Sequence, residues 1–389
     1  MIISALLATQ IPGTDTPRTS RYHHAFTMNE RNNPAPVVNS HNEWDPLEEV
    51  IVGSLEGAVN PPWDIALQAV TPKEDVDRAR AFAHAHGGEP IVPLIREPAE
   101  RELDEFVSIL HAEGVVVRRP DRVEHLRPFA SPEWTSAAGY CQANPRDVLI
   151  VIGNQILEAP MAWRSRYFEF FAYRRLVMEY WRRGARWSAA PKPMMTDGLY
   201  DLSYERGKDY VTTELEPVWD AADMARCGRD IFIQRSHVTN DAGIEWLRRH
   251  LGDAYRLHRV EFDDDRAIHI DATFVPLAPG KIMVNPDRPI KRLPEVVQAS
   301  GWELLEAPRS TMPESHPQFR WFRWLSMNVL NLDEKRIIVE ASEEPLIRQL
   351  RDWGFEPIPC KFRQFYRYGG SFHCATVDIR RRGSLKSYF

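Results

Sequence analysis

The segment HAEGVVVRR, residues 111–119, contains a helix end, a glycine and an apolar strand in immediate succession. The same plan recurs in RRGARW (182–187), HLGDAYRLH (250–258), ASGWELLEA (299–307) and DWGFEPIPC (352–360). Glycine suits this place because the residue just past a helix often adopts a left-handed backbone conformation. We therefore predict five helix–glycine–strand joints, centred on Gly114, Gly184, Gly252, Gly301 and Gly354.

An apolar strand precedes the helix of each unit. The five strands are predicted at residues 50–52, 148–152, 231–233, 282–284 and 337–339. Each strand–helix–strand unit has one apolar helix face and a small sheet, which must be buried against neighbouring units. Five such units form either a ring or a doubly wound sheet, and both arrangements belong to the α/β class.

The turn after the first strand favours the ring. A doubly wound sheet usually has a glycine-rich phosphate turn that opens a helix after an early strand. Here the segment IVGSLEG, residues 51–57, is followed by Asn60-Pro61-Pro62, which does not open a helix in that way.

Composition excludes several classes of function. The chain has 389 residues, of which 43% are hydrophobic and 27% charged, with a formal net charge of −6. Nucleic acid is not an expected partner, because its binding requires a concentrated basic surface. A membrane is not expected either, because no apolar run approaches the roughly 20 residues needed to span a bilayer.

The N-terminal region differs from the rest of the chain. Residues 14–36 are polar and rich in Pro, Ser, Thr and Asn, so we predict a disordered extension over residues 1–38. Residues 1–10 are apolar but lack the basic leader of a secretory signal. A transit peptide and a true start at Met28 are the alternatives. A single catalytic domain is predicted over residues 39–389.

Cys374 is one of four cysteines, with Cys141, Cys227 and Cys360. None forms a C-x-x-C pair, so we predict no thiolate metal site, and free thiols indicate a reducing, cytoplasmic location. Cys374 follows the glycine-rich segment GGSFH, in which the backbone can approach a ligand closely. If the segment is a strand, His373 points away from Cys374 and is a poor base. From these residues alone, a nucleophile and an inert buried thiol both remain open.

Other residues suit a cationic substrate. In a strand, His269 and Asp271 of HIDATF share one face, which gives either a catalytic surface or a simple salt bridge. Asp147 and Asp220 are either turn formers or acceptors for the N–H fork of a guanidinium group. Arg288 in NPDRP suits a substrate carboxylate. HAHGG at residues 84–88 lacks a third ligand, so no metal is predicted.

Eight segments in order resemble the arginine amidinotransferase family, from about residue 39 to the C-terminus. They are NEWDPLEEVIVG from Asn42, NPRDVLIVIGNQILEAPMAWRSR from Asn144, WDAAD from Trp219, GRDIFIQRSHVTNDAGIEWLRRHL from Gly228, HIDATF from His269, NPDRP from Asn285, WLSMNVL from Trp324 and GGSFHCATVDIRRRGSLKSY from Gly369. The resemblance implies a pentein-type fold, a five-bladed α/β propeller of ββαβ modules with pseudo-fivefold symmetry, and a homodimer.

The resemblance also assigns roles to residues. It makes Cys374 the nucleophile, His269 the general acid and base, and Asp220 the carboxylate that orients His269. Two pairs then bind L-arginine, with Asp147 and Asp271 on the guanidinium group and Arg288 and Ser326 on the α-carboxylate. The implied reaction is ping-pong transfer of the amidino group to an amine, with ornithine released and without cofactor or metal.

The predicted acceptor is glycine, which gives guanidinoacetate, because Ser326 and HIDATF match the glycine-type members of the family. Ile268 departs from the methionine of those members. Transfer to lysine or another amine of a secondary-metabolite pathway is the first alternative. Guanidine hydrolysis of the arginine deiminase type and a non-catalytic binding protein are the others.

Overall fold

Five three-stranded sheets dominate this computed structural model, which describes residues 36–389. The predicted N-terminal extension and the alternative start at Met28 lie outside the described residues, apart from residues 36–38. Val38 is already buried in the core. No helix within the described range is both long and apolar enough to cross a membrane.

The strands and helices alternate along the chain. The strands are β1 (Leu47–Val52), β2 (Val116–Arg118), β3 (Phe129–Ala130), β4 (Thr135–Ser136), β5 (Leu149–Ile152), β6 (Gln155–Glu158), β7 (Arg186–Ala189), β8 (Met224–Cys227), β9 (Asp230–Ile233), β10 (Arg256–Arg259), β11 (Glu261–Phe262), β12 (Phe274–Ala278), β13 (Lys281–Val284), β14 (Ile290–Arg292), β15 (Glu303–Glu306), β16 (Leu330–Asn331), β17 (Arg336–Glu340), β18 (Glu356–Cys360) and β19 (Thr376–Arg381). The helices are α1 (Ile65–Val70), α2 (Val76–His86), α3 (Pro93–Ala112), α4 (Pro145–Val148), α5 (Arg174–Arg182), α6 (Asp241–Leu251), α7 (Glu295–Ser300), α8 (Phe319–Phe322) and α9 (Glu344–Asp352).

Each of the five sheets has the same construction. Their strand orders are β19-β1-β2, β5-β6-β7, β8-β9-β10, β12-β13-β15 and β16-β17-β18. In every sheet the first two strands are antiparallel, and the third is parallel to the central strand. The chain passes through a helix before it reaches that parallel strand. We number these modules 1 to 5 in the order given.

The predicted strands and joints are confirmed, and so is the α/β class. All five joint glycines have positive φ angles, between 59° and 103°. Each joint leads into the parallel strand of its module. The strand predicted at residues 148–152 is the first strand of module 2, β5, which begins at Leu149, whereas the other four predicted strands are the central strands of their modules.

Apolar side chains at helical spacing attach the helices to the sheets. In α3, Leu103, Phe106 and Leu110 are buried, three and four residues apart along one face. In α6, the side chain of Asn240 accepts a hydrogen bond from Gly243 N at 2.8 Å, which satisfies an otherwise unpaired donor at the helix start.

Neighbouring modules contact one another in a cyclic order. The connecting pairs are Arg146 and Asp378 (modules 2 and 1), Arg226 and Val151 (3 and 2), Phe232 and Phe274 (3 and 4), Asn331 and Leu277 (5 and 4), and Arg381 and Asn331 (1 and 5). Module 5 therefore meets module 1, and β19 from the end of the chain completes the first sheet.

A buried carboxylate joins several modules. Asp378 on β19 accepts hydrogen bonds from Arg146 at 2.8 Å, Arg226 at 2.6 Å and Arg381 at 2.8 Å. Burial alone would raise the pKa of Asp378, but the three guanidinium groups hold it well below its usual range. Glu43 binds Arg226 through both carboxylate oxygens and supplies a second negative charge.

We expect Asp378→Asn to destabilise the protein strongly, because three buried guanidinium groups would lose their shared anion. Breaking a buried ion pair costs about 3–5 kcal/mol, so the free energy of unfolding in urea should fall by about that amount. Asp197→Asn is the matched control, since this carboxylate is 93% exposed in its pair with Arg164 and should leave the urea midpoint almost unchanged. Equal midpoints for both variants would contradict the role of Asp378.

Candidate active site

The backbone around Cys374 is held by one asparagine. Asn328 Oδ1 accepts hydrogen bonds from Cys374 N at 3.0 Å and from Ser371 N at 3.2 Å. A Cβ atom at Gly370 would lie 2.5 Å from Asn144 Oδ1 and 2.6 Å from Cys374 Cβ. Only glycine fits at position 370, so the glycine-rich segment allows a close backbone approach, as predicted.

The thiol of Cys374 lies in a cavity of about 590 Å³ and donates to Asp271 Oδ2 at 3.3 Å. Burial raises the pKa of this thiol well above its ordinary value, and the negative charges of Asp271 and Asp147 raise it further. A cation placed between these carboxylates would act in the opposite direction. The surroundings of Cys374 therefore favour the neutral thiol, and a cation bound between the two carboxylates would favour the thiolate.

His269 lies between two carboxylates. Its Nε2 is 3.1 Å from Asp220 Oδ2, and its Nδ1 is 3.5 Å from Asp147 Oδ1. Burial alone would lower the pKa of His269, but Asp147 and Asp220 outweigh this effect and raise it to about 10. His269 is therefore protonated at neutral pH and can donate a proton into the cavity.

The predicted strand for HIDATF is wrong at its start. His269 has a φ of 49°, and Ile270–Ala272 form a single 3₁₀ turn before β12. A non-glycine residue at positive φ is uncommon and costs conformational energy. Both His269 and Asp271 nevertheless line the cavity, because the turn rather than a strand face presents them.

The two carboxylates assigned to the guanidinium group have different environments. Burial raises the pKa of Asp147 despite the nearby charges of His269 and Arg166. Burial acts on Asp271 in the same way, but the hydrogen bond and charge of His373 lower its pKa below the usual value. Within residues 36–389, Asp147 Oδ1 is buried and has no hydrogen-bond partner, so it is available to a donor on a ligand.

Arg166 lines the cavity and orients Asp147. Its Nη1 donates to Asp147 Oδ2 at 2.9 Å, while Nε and Nη2 bind Glu169. Sequence reasoning did not identify Arg166 or Asn328, although both lie in segments that carry the family resemblance. No local pattern predicts their roles. Asn328 binds Ser371 and Cys374, which are distant in sequence, and Arg166 reaches Asp147 and Glu169 through local turns.

Arg288 and Ser326 are placed differently. Arg288 lines the cavity and donates to Thr273 Oγ1 at 2.8 Å, with Asp264 also in contact at 3.1 Å. Ser326 is buried in the 3₁₀ turn Arg323–Met327 and is not among the described residues that line the cavity, whereas its neighbour Leu325 is.

The strand geometry expected at His373 is wrong, whereas its exclusion as the base for Cys374 stays a prediction. Residues 372–375 form a turn and β19 begins only at Thr376, so the rule of alternating strand faces does not apply to them. His373 Nδ1 lies 2.7 Å from Asp271 Oδ2, the same oxygen that Cys374 Sγ approaches. Adjacent side chains thus converge on one carboxylate.

All four cysteines are free and buried. Over residues 36–389, no group of three or more His, Cys, Asp and Glu side chains is placed to hold a metal ion. Within the HAHGG segment, His86 instead forms a partly exposed ion pair with Glu89.

Known proteins with similar sequences are amidinotransferases. The chain is 48% identical over 359 residues to an L-arginine:L-lysine amidinotransferase of Pseudomonas savastanoi pv. phaseolicola, covering 91% of this chain and 97% of that protein. It is 46% identical over 364 residues to the mitochondrial glycine amidinotransferase of Danio rerio, covering 90% and 85%. No family model matches this chain.

Two solved structures similar to this chain are also amidinotransferases. An amidinotransferase of the saxitoxin biosynthetic pathway from Microseira wollei has 50% sequence identity and a TM-score of 0.87, covering 91% of this chain and all of that one. The inosamine-phosphate amidinotransferase of Streptomyces griseus has 35% identity and a TM-score of 0.81, covering 90% and 99%. A cyanobacterial arginine dihydrolase domain, at 12% identity and a TM-score of 0.54, shares the fold alone.

We expect Asp220→Asn to lower the pKa of His269, because the variant loses one of the two carboxylates that stabilise the imidazolium. NMR titration of the His269 ring should show protonation persisting to about pH 10 in the wild type and ending at a lower pH in the variant. Asp230→Asn serves as the control, since Asp230 pairs with the distant His258. A His269 titration unaffected by Asp220→Asn would contradict this assignment.

Proposed function

Because this chain belongs to the amidinotransferase family, we propose that it transfers the amidino group of L-arginine to an amine through a covalent intermediate on Cys374. One observation carries the proposal. The Cys374 thiol contacts Asp271 at 3.3 Å in a cavity that Asp147 and His269 also line. A nucleophile, a proton donor and two carboxylates are the groups that this reaction requires.

Arginine binds in this proposal with its guanidinium group between Asp147 and Asp271. Carboxylates accept the planar N–H fork of guanidinium in charge-assisted hydrogen bonds, and Asp147 Oδ1, which accepts no hydrogen bond from the described residues, supports this placement. Arg288, on the same cavity wall, binds the α-carboxylate. Ser326 stays a predicted second partner for that carboxylate.

The first half-reaction forms the covalent intermediate. As arginine binds, its guanidinium cation stabilises the Cys374 thiolate, the thiol releases its proton to solvent, and the sulfur attacks the guanidinium carbon. Protonated His269 gives its proton to the departing nitrogen as the C–N bond breaks, and ornithine leaves. The amidino group remains on sulfur, and Asp220 holds His269 in place during the transfer.

The second half-reaction returns the enzyme to its starting state. An acceptor amine enters the vacated site, and neutral His269 removes a proton from it. The amine nitrogen attacks the amidino carbon, the C–S bond breaks, and the Cys374 thiolate regains a proton from solvent as the cationic product leaves. Water must be excluded, because its attack would release urea. Apolar side chains on the cavity wall support this exclusion, among them Leu67, Val70, Phe82, Trp163, Trp321 and Phe322.

The proposal includes the architecture of the enzyme. The five repeated modules and the cyclic order of their contacts support a five-bladed α/β propeller, with residues 39–389 as one catalytic domain. The thiolate carries the transferred group, so the proposed reaction uses no cofactor. The homodimer and the cytoplasmic location stay predictions from the sequence.

Glycine and lysine are the two candidate acceptors. Motif similarity favours glycine, the acceptor predicted from the sequence. Lysine is favoured by the L-arginine:L-lysine relative at 48% identity. Its shape also favours it, because its side chain is only one methylene group longer than that of the ornithine that leaves the same site. A cavity of about 590 Å³ has room for such a chain. One methylene group changes the discrimination between two substrates by only about 1–3 kcal/mol. The preferred acceptor must therefore be identified by direct competition between glycine and lysine.

We expect Cys374→Ala to abolish release of ornithine from arginine, because no other cysteine among the described residues lines the cavity. In the wild type without acceptor, mass spectrometry of peptic fragments should find an added amidino group on the peptide containing Cys374. Cys360→Ala is the control, since Cys360 is buried outside the cavity and should retain activity. An unchanged rate of ornithine release in Cys374→Ala would overturn the mechanism.

An acceptor screen tests the function itself. We expect arginine plus either glycine or lysine to yield ornithine and the amidinated amine in equal amounts, measured by mass spectrometry. Ornithine and an inosamine phosphate complete the panel, and equimolar glycine and lysine in one reaction rank the two candidates. Accumulation of citrulline without any amine would indicate hydrolysis of the arginine deiminase type and would contradict transfer.

A further inference from the structure

A line of charged groups runs from the buried arginine cluster to the nucleophile. Arg226 binds Glu43, whose Oε2 lies 3.3 Å from His373 Nε2. His373 Nδ1 lies 2.7 Å from Asp271 Oδ2, which accepts the Cys374 thiol at 3.3 Å. Neither Glu43 nor His373 has a part in the proposed mechanism.

His373 does not reach the substrate cavity. Among the described residues, it is absent from the wall of that cavity and instead lines a separate space of about 20 Å³, together with Glu43 and Asp271. Asp271 lines both spaces. His373 therefore contacts Asp271 without lining the cavity proposed for the guanidinium group, so its side chain acts on that group through this carboxylate.

Each of the two carboxylates proposed to bind the guanidinium group, Asp147 and Asp271, has a cation beside it. Arg166 pairs with Asp147 at 2.9 Å, and His373 is the only cation within 4.0 Å of Asp271 across residues 36–389. An arginine keeps its charge at all relevant pH values, whereas a histidine can lose its proton. Asp271 therefore depends on a titratable cation alone, whereas Asp147 keeps the charge of Arg166 in addition to its contact with His269.

The surroundings of His373 favour its charged form. Burial and the charge of Arg146 lower the pKa of His373, but the hydrogen bonds to Asp271 and Glu43 outweigh them and raise it. The charged groups that face His373 are Asp271 on the turn before β12, Glu43 on the segment before β1 and Arg146 on α4. Arg226 on β8 does not contact His373 but donates a hydrogen bond to Glu43.

We propose that His373 is a positioning residue, a cation held between Glu43 and Asp271 that keeps the Asp271 carboxylate charged and oriented toward Cys374 and the guanidinium group. Its role rests on the proposed function and assigns no proton transfer to it. The hydrogen bond fixes Oδ2 beside the sulfur. The positive charge offsets the cost of keeping an anion in a buried site before the substrate arrives.

A purely structural role makes a different prediction. If His373 only filled space, an isosteric substitution would change stability and leave the affinity for arginine and the pH profile unaltered. If His373 positions Asp271, its loss raises the pKa of Asp271, because that carboxylate is stabilised by the nearby cation. Binding of guanidinium needs the ionised carboxylate, so activity would then be lost at a higher pH as the solution is acidified.

The test compares His373→Phe and His373→Asn with the wild type. We expect His373→Phe to raise the KM for arginine about tenfold or more, as for loss of a hydrogen bond to a charged group. The acidic limb of kcat/KM should move to higher pH. His373→Asn retains an N–H donor without the charge, so its KM should be intermediate while its acidic limb still moves. If His373→Phe does not fold, His373→Asn provides the same test.

His258→Asn is the matched control. His258 forms a similar buried pair with Asp230, at 2.6 Å, on the outer strand β10, and its substitution should leave KM and the pH profile unchanged. Thermal midpoints of all variants separate folding defects from catalytic ones. Wild-type KM and an unmoved acidic limb in a folded His373 variant would overturn the proposal.

A second measurement does not depend on turnover. The pKa of the Asp271 carboxyl group, followed by carbon-13 NMR, should be higher in His373→Asn than in the wild type. An unchanged value would overturn the positioning role even if the enzyme proved active. A raised value in a protein that transfers no amidino group would support the role and count against the proposed function alone.

Discussion

The carboxylate of Asp378 is the constraint on which the site depends. It binds Arg146, Arg226 and Arg381, each at most 1% exposed, which come from three different modules. A buried charge is tolerated only when partners of opposite charge replace its water shell. Modules 1, 2 and 3 must therefore pack together before any of these four residues can be buried.

This cluster also places Cys374, the proposed nucleophile. Asp378 lies on β19, and the turn that precedes this strand carries His373 and Cys374. Arg146 reinforces the link, since its side chain donates to His373 O and its backbone N–H to Cys374 O, both at 3.3 Å. The position of the thiol is thus set by the contacts that close the first module against the second.

Burial and the neighbouring carboxylates favour the neutral thiol of Cys374 over its thiolate. Two carboxylates and burial raise the pKa of Cys374, and the neutral thiol is both a weak nucleophile and a poor target for oxidants. The other cysteines with a raised pKa owe it chiefly to burial as well. Cys374 differs from the other cysteines because the neighbouring carboxylates of Asp147 and Asp271 face a space large enough for a cationic ligand. The reactivity of its thiol therefore depends on whether a cation is bound there.

Local sequence patterns determined the repeated architecture. A glycine past a helix end and an apolar strand after it depend on only a few neighbouring residues, so the joints at Gly114 and its four counterparts were predictable. The ordered motifs likewise identified Cys374, His269, Asp147, Asp271 and Arg288, all of which line one cavity.

Only the tertiary structure decided how these residues meet. His373 and Asp271 are 102 positions apart, and Cys374 and Asn328 are 46 apart, so no local periodicity encodes their contacts. The turns at residues 270–272 and 372–375 replace predicted strands because hydrogen bonds and buried charges from other modules outweigh the strand preference. For the same reason the sequence identified the thiol, whereas only the structure revealed His373 and Asn328 beside it, and Ser326 is not among the described residues that line the cavity.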